Sequence, residues 1–482
     1  MICVRKSRLF RAHGLVIKDL AGEFRQTPVQ DSQARRSNCC NSTILSQNRI
    51  SSGNDFIPFF ALSKAKGMVI NMNRNYVFSL VNLAIFIDTI LYGIIVPIVP
   101  HYSVQLGITT SQIGWIFAAY ALALLLASIP LGRAVDIYGY KPVLTLGMVG
   151  LTLATAAFSL SHSLPLLLLG RILQGVAAAA TWSAGLALVA AIFPSEVKGQ
   201  KMGLVMTATG LGTIVGPVLG GFLYQAAGYS APFLLIIMIG TVLSLLFLKS
   251  SLPGKSPTNA STSPGLSSLF KRRNVFWGML ISVIGSFTIS ILEPLLPIYF
   301  DQRFSLNSAG IGLLFGLLSL TFALSQPLFG SLSDRLGRKP LIVAGLLGTA
   351  IVMPGLALAP SLKLVIVVMS LLGVTSGIYS ATNLPLLAES VENKLTSTAV
   401  DPAPSENDDY ISRVESTANN SPYGAAFGFF NTAYSLGLVA GPLVGTSLVQ
   451  LMGLKMLLLA SSLLLSAIAL GGGLRIQETL ST

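Results

Sequence analysis

Long runs of apolar residues alternate with short polar segments along most of this chain. Six runs occupy residues 76–100, 112–132, 140–161, 163–193, 201–225 and 231–249, and six more occupy 274–298, 308–330, 338–359, 363–388, 422–449 and 452–475. The runs are long enough for an α-helix to cross a bilayer, which needs about 20 apolar residues. The pattern therefore predicts an all-α integral membrane protein with 12 transmembrane helices, called span 1 to span 12 in chain order.

Polar segments divide these spans into two halves of six helices, 76–249 and 274–475. We expect residues 1–75 to form a basic, disordered cytoplasmic tail and residues 476–482 to form a short C-terminal tail. Residues 250–273 are rich in Ser, Pro and Gly, which is typical of a flexible linker. The acidic, Ser-rich insertion 391–421 is expected to be disordered.

Composition and charge support a membrane location. Only 10% of the residues are charged and the mean hydropathy is +0.72, whereas soluble proteins have about 25% charged residues. The net charge of +13 does not indicate nucleic-acid binding, because 12 of the 31 basic residues precede span 1 and most others lie in loops on one side. This distribution predicts that both termini are cytoplasmic.

A charged block occurs twice in the loops of the predicted cytoplasmic side. The segments "LGRAVDIYGYKPVL" at 131–144 and "FGSLSDRLGRKPLI" at 329–342 align at an offset of about 198 residues. Glycines in both copies allow a tight turn and a close approach of helices. We predict that the two hairpins form a cytoplasmic gate in which charges separate as the halves move, with contributions from Gly132, Asp136, Gly139, Lys141, Gly330, Asp334, Arg335, Gly337, Arg338 and Lys339.

Two further segments repeat between the halves. "VPIVPHY" at 96–102 is similar to "EPLLPIY" at 293–299, and "GLGTIVGPVLGG" at 210–221 is similar to "SLGLVAGPLVGT" at 435–446. The second offset is larger because of the insertion 391–421. The repeats indicate an internal duplication of a six-helix unit.

The span count, the duplication and the hairpin block resemble the major facilitator superfamily, in which two pseudo-symmetric halves alternate access to a central site. "GRILQG", which contains Arg171, resembles the fourth-helix motif of proton-coupled members. "GLGTIVGPVLGG" resembles the fifth-helix antiporter motif at Gly212, Gly216, Pro217, Gly220 and Gly221. The resemblance implies a proton-coupled antiporter.

Three shorter segments resemble one branch of this superfamily. "DTILYGIIVPIVP", "LEPLLPIY" and "GYSAPFL" resemble vesicular amine transporters and related fungal multidrug exporters. Vesicular monoamine transporters, however, have a lysine in span 2 and acids in spans 10 and 11, where this chain has Ala121, Ser380 and Asn431. These departures favour a general drug or metabolite exporter over a neurotransmitter-like exchanger.

Ionisable residues inside the predicted spans are the candidate site. Asp88, Arg171 and Glu293 each cost about 2.5–3.5 kcal/mol to place at a helix centre, so each needs a partner or a wet cavity. We expect Asp88 to exchange a cationic substrate group for a proton, Arg171 to control the charge of that acid by its distance, and Glu293 to be a second acidic contact. A static Asp88–Arg171 ion pair is the alternative. The other residues expected to face the cavity are Asn383, Asn431, Tyr92 and Tyr379.

The motifs of other functional classes are missing from the sequence. It has no phosphate-binding P-loop, no metal-ligand cluster and no nucleophile–base pair, and its three cysteines lie in the tail. We therefore expect no enzyme activity and no cofactor, but a monomeric exporter of small amphipathic or cationic molecules driven by protons. The membrane is either the plasma membrane or a vacuolar or vesicular membrane. A nutrient importer and a transport-inactive sensor that signals through 391–421 are the alternatives.

Overall fold

The computed structural model describes residues 74–161, 163–250, 252, 272–398 and 422–477. All of them belong to the unit Val69–Thr482. The regular secondary structure of these residues is helical, without a strand. Most of the predicted tail, most of the linker, residues 399–421 of the predicted insertion and residues 478–482 lie outside the described part of the chain.

The first half contains the six predicted spans. Span 1 consists of the helix Arg74–Ile94, a 3₁₀ turn Val96–Ile98 that contains Pro97, and the short helix Val99–Gln105. Spans 2 to 6 are the helices Thr110–Tyr138, Tyr140–Ser159, Leu164–Ile192, Ser195–Ala227 and Ala231–Lys249.

The second half repeats this order. Spans 7 to 10 are Arg273–Phe304, Ser308–Leu336, Arg338–Val352 followed by Gly355–Leu358, and Leu362–Thr398. Spans 11 and 12 lie in Pro422–Arg475, which is broken at Gly453 by a non-helical backbone (φ 76°, ψ 164°). The described part of the chain thus has 11 helices able to cross a membrane, the last of them bent into two segments. The predicted fold class is confirmed.

One boundary differs from the prediction. The helix of span 10 continues to Thr398, so residues 391–398, predicted as the start of a disordered insertion, are helical. The segment "VENKLTST" contains neither Gly nor Pro, and the residues that most strongly end a helix are therefore missing from it.

The duplication is visible in how glycines pack. In span 5, Gly212, Gly216 and Gly220 face the backbone or the Cβ atoms of span 1, at Phe86, Thr89, Ile90 and Ile94. In span 11, Gly437, Gly441 and Gly445 face span 7, at Val283, Ser286, Phe287, Ser290 and Ile291. Residues spaced by four share one face of a helix. Each row of three glycines, called a glycine seam below, therefore packs one helix face against the first helix of its own half.

Glycines also mark where the two halves meet. A Cβ atom on Gly312 of span 8 would lie 2.3 Å from the Pro217 carbonyl oxygen of span 5, and one on Gly114 of span 2 would lie 2.7 Å from the Pro442 carbonyl oxygen of span 11. Both contacts lie at the end of the bundle opposite the two hairpins, where spans 2 and 8 begin. At the hairpin end, a Cβ atom on Gly203 or Gly330 would lie more than 4 Å from the described residues of other helices. The halves are therefore packed together at the end opposite the hairpins.

This close packing predicts the effect of adding one methyl group. In Gly221→Ala the new Cβ would lie 2.2 Å from the Ser308 carbonyl oxygen of the other half, so the backbones must separate. We expect a loss of about 1–3 kcal/mol in the free energy of unfolding, typical of overpacking, measured by thermal unfolding of the purified protein.

The control is Gly203→Ala on the same helix, where the new Cβ atom would lie more than 4 Å from the described residues of other helices and alanine favours the helix. Its unfolding temperature should stay the same or rise. Equal losses in both variants would contradict the close approach of the halves.

Candidate functional site

A cavity of about 300 Å³ lies between the two halves. Spans 1, 2, 4 and 5 line it from one half, and spans 7, 8, 10 and 11 line it from the other. The lining is mostly apolar and aromatic, with Phe315, Phe322, Phe430 and Tyr434 among its rings. Asp88 and Glu293 are the carboxylates in the lining.

Asp88 lies in span 1 and is 2% exposed. Its Oδ2 atom accepts a hydrogen bond from the Trp182 indole Nε1 at 2.8 Å. The Tyr120 hydroxyl lies 3.2 Å from each carboxylate oxygen and donates to the group. Both donors are neutral, so the carboxylate is hydrogen-bonded while its charge has no counter-ion among these contacts.

Glu293 lies in span 7, across the cavity from span 1. Its Oε2 atom accepts a 2.6 Å hydrogen bond from the hydroxyl of Tyr92. This distance lies in the range of a charge-assisted O–H···O⁻ bond. The second acid of the cavity is therefore also bound by a neutral tyrosine.

Arg171 in span 4 is fully buried and forms no ion pair with a carboxylate in the described part of the chain. Its Nε donates to the Ile116 carbonyl oxygen at 3.1 Å, and Nη1 donates to Gln174 Oε1 at 3.2 Å. Nη2 has no hydrogen-bond partner among the described residues. The proposed static Asp88–Arg171 ion pair is therefore not found.

Two tyrosine side chains contact both the guanidinium of Arg171 and one of the acids. Its Cζ atom lies 4.6 Å from the ring centroid of Tyr120 and 5.6 Å from that of Tyr92. The two rings are 5.3 Å apart, and each hydroxyl binds a different acid. The three intramembrane charges thus form one cluster whose contacts run through aromatic rings.

The other predicted cavity residues divide into two groups. Tyr379 and Asn383 line the cavity, and the buried Asn383 side chain donates to the Gly278 carbonyl oxygen and to Ser282 Oγ at 3.0 and 2.8 Å. The prediction for Asn431 is wrong, because its side chain is exposed and does not line the cavity. On span 11 the cavity face carries Phe430 and Tyr434, which are four residues apart.

Sequence reasoning missed the residues that hold the charges, namely Tyr120, Trp182 and Gln174. The sequence contains a signal for Gln174 and Trp182. Both residues fall on the same helical stripe of span 4 as Arg171. A buried indole also needs an acceptor for its N–H group. Tyr120 carries no such signal, since tyrosine is common in transmembrane helices near interfaces.

The second hairpin contains an ion-pair cluster. Arg338 contacts Asp334 at 2.7 Å within the hairpin and Glu389 of span 10 at 2.7 Å, and it also donates to the Ser333 hydroxyl. Glu389 was not predicted. These contacts join spans 8, 9 and 10 of one half.

The first hairpin contains no ion pair among its described residues. Asp136 is exposed, and the position equivalent to Arg338 is the buried Tyr140. Lys141, Arg335 and Lys339 also form no ion pair with a described residue, so both copies of the predicted gate are charged but ion pairs are found in the second copy only. Gly139 and Gly337 make the predicted tight turns with φ values of 88° and 93°. Gly132 and Gly330 do not mark a close helix approach, because a Cβ atom on either would lie more than 4 Å from the described residues of other helices.

Comparison with known proteins identifies the family. The model of the Major Facilitator Superfamily matches residues 81–400. The chain is 31% identical to the MFS-type transporter SLC18B1 of Mus musculus over 386 residues, which cover 76% of this chain and 78% of that protein. The present chain belongs to the Major Facilitator Superfamily. As predicted, it is a transporter rather than an enzyme.

Two other relatives match the kinds of protein suggested by the sequence motifs. The chromaffin granule amine transporter of Rattus norvegicus is 25% identical, with 72% of this chain and 62% of that protein covered. Multidrug resistance protein 2 of Bacillus subtilis is 30% identical, with 55% and 69% covered. A bacterial homologue of the lysosomal transporter Spinster, in an inward-facing unoccupied structure, has the same fold (TM-score 0.68, 14% identity, 84% of this chain and 98% of that one).

The Arg338 cluster predicts unequal roles for its two acids. The Glu389 side chain is 32% exposed and the Asp334 side chain 64% exposed. We expect Glu389→Gln to lower the free energy of unfolding by about 1–3 kcal/mol, as for a lost hydrogen bond to a charged group, and Asp334→Asn by about 0–1 kcal/mol. Thermal unfolding at low and high salt measures the two losses. Asp136→Asn is the control, because Asp136 forms no ion pair with a described residue. A larger loss from Asp334→Asn would contradict this ranking.

Proposed function

We propose that this protein is a proton-coupled antiporter that exports small cationic, amphipathic organic molecules by alternating access. The observation that carries the proposal is the pair of cavity carboxylates, Asp88 and Glu293, whose described hydrogen bonds come from neutral donors only. An anionic group in an apolar cavity favours binding of a cation or a proton. One acid can hold either, and this competition is the basis of exchange.

The shape and composition of the cavity support an amphipathic substrate. Aromatic rings surround the acids, and rings attract cations as well as apolar groups. A volume of about 300 Å³ is at the lower end of the range for small-molecule sites. The names of two relatives, an amine transporter and a multidrug resistance protein, agree with this class of substrate.

Arg171 supplies the means of releasing the proton. In the present structure the Tyr120 ring contacts the guanidinium while its hydroxyl binds Asp88, and Nη2 of Arg171 lacks a hydrogen-bond partner among the described residues. If the ring moves as the halves rock, Nη2 gains the carboxylate as an acceptor. The charge of Asp88 then changes with the position of span 1, which the glycine seam joins to span 5.

The orientation completes the proposal. The positions of the basic loops favour a cytoplasmic hairpin end, and the packed contacts between the halves favour closure of the opposite end. In the proposed orientation the cavity opens to the cytoplasm, from which it takes up substrate for export. The name of the chromaffin granule relative favours an internal vesicular membrane over the plasma membrane.

A flux experiment tests the proposal. Purified protein is placed in liposomes that have an acidic interior and contain a pH-sensitive dye, and a panel of amphipathic amines is added outside. We expect the interior to become alkaline only with certain amines, and Asp88→Asn to reduce that rate by more than about tenfold, the effect of losing about 1.4 kcal/mol of cation binding.

Asp301→Asn is the matched control, because it neutralises a span 7 carboxylate that does not line the cavity. It should leave the rate unchanged. No proton flux with any amine would contradict proton antiport of cations, and full flux in Asp88→Asn would exclude the role given to Asp88.

A further inference from the structure

A short hydrogen bond crosses the cavity from one half to the other. The Tyr92 hydroxyl of span 1 donates to Glu293 Oε2 of span 7 at 2.6 Å. The hydrogen bonds described for Asp88 and Asn383 each stay within one half. The Tyr92–Glu293 bond therefore joins the halves directly inside the cavity.

This bond lies beside the packed contact between the halves. Gly93 follows Tyr92, and a Cβ atom on it would lie 2.8 Å from Pro217 Cδ. The carbonyl oxygen of Pro217 in turn faces Gly312 of the second half. Opening the bundle at this end therefore requires separation of both the Pro217–Gly312 contact and the Tyr92–Glu293 bond.

Neighbouring side chains hold the Tyr92 ring in the position in which its hydroxyl binds Glu293. Its ring lies 5.3 Å from the ring of Tyr120 and 5.6 Å from Cζ of Arg171. A held ring loses less conformational entropy when its hydroxyl binds Glu293. The hydroxyl also occupies an oxygen atom that the ammonium group of a substrate would bind.

We propose that Tyr92 is a positioning residue that ties the two halves together through Glu293 in the substrate-free protein, and that the cationic group of the substrate releases the tie by displacing the Tyr92 hydroxyl. The release step rests on the proposed function, whereas the tie itself does not. Substrate binding would then be coupled to opening of the closed end, because the substrate replaces a contact that exists only in the closed form.

The first experiment measures the tie without any substrate. Spin labels are attached to Tyr138→Cys and Leu336→Cys, two exposed positions at the hairpins, after the tail cysteines are replaced by serine. The distance distribution is measured in liposomes. Tyr92→Phe keeps the ring and removes the hydroxyl, so we expect the ratio of molecules with hairpins close together to those with hairpins apart to rise about tenfold.

Tyr299→Phe is the matched control on span 7. Its hydroxyl donates at 3.4 Å to the Ala357 carbonyl oxygen within the second half, so its loss should leave the distribution unchanged. A Tyr92→Phe distribution equal to that of Tyr299→Phe would overturn the tie.

The second experiment measures the affinity of the same variants for radiolabelled phenethylamine. Removing the internal competitor should tighten binding to Tyr92→Phe by about tenfold, with no change for Tyr299→Phe. Unchanged or weaker binding to Tyr92→Phe would overturn the displacement step. If no amine in a wider panel binds the wild-type protein, the release step fails with the proposed substrate class, and the distance measurement still decides whether the tie exists.

Discussion

The buried guanidinium of Arg171 is the constraint on which the cavity depends. Such a charge is costly inside a membrane, and no carboxylate in the described part of the chain pairs with it. The Ile116 carbonyl, Gln174 and two tyrosine rings stabilise it instead, and cation–π contacts are worth about 2 kcal/mol or more when desolvated. The rings of Tyr92 and Tyr120 contact this cation, and the hydroxyls of the same two side chains bind Glu293 and Asp88. The acids are thereby held in place without an ion-pair partner in the part of the chain that the structure describes.

The glycine seams join this charge cluster to the movement of helices. Span 5 contacts span 1 through Gly212, Gly216 and Gly220, which flank the level of Asp88 and Tyr92, and the equivalent seam of span 11 contacts span 7 beside Glu293. Each acid is therefore attached to a rigid pair of helices. When one pair moves relative to the other, the packing transmits the displacement to the hydrogen bonds in the cavity, because packed helix faces are not continuously deformable.

Much of the fold could be predicted from sequence, since apolar runs and their duplication depend only on the length and symmetry needed to cross a bilayer. The charged residues Asp88, Arg171 and Glu293 were also predictable, because charge inside a membrane is costly. Their partners were not. Whether Asp88 faces arginine or tyrosine depends on the rotation of spans 1, 2 and 4 against one another, which periodicity in an apolar helix hardly constrains. Asn431 illustrates the same limit, because a rotation of one residue separates the exposed face of span 11 from the cavity face.

Proton release on substrate binding is the most direct measurement of the central claim that protons and a substrate cation compete for Asp88 and Glu293. An amine is added to purified protein in weakly buffered, slightly acidic solution, and the change in pH is followed beside the bound amine. We predict that binding to the wild-type protein releases protons, and that Asp88→Asn and Glu293→Gln each release fewer per amine bound. Binding of the amine without proton release at any pH tested would contradict the claim.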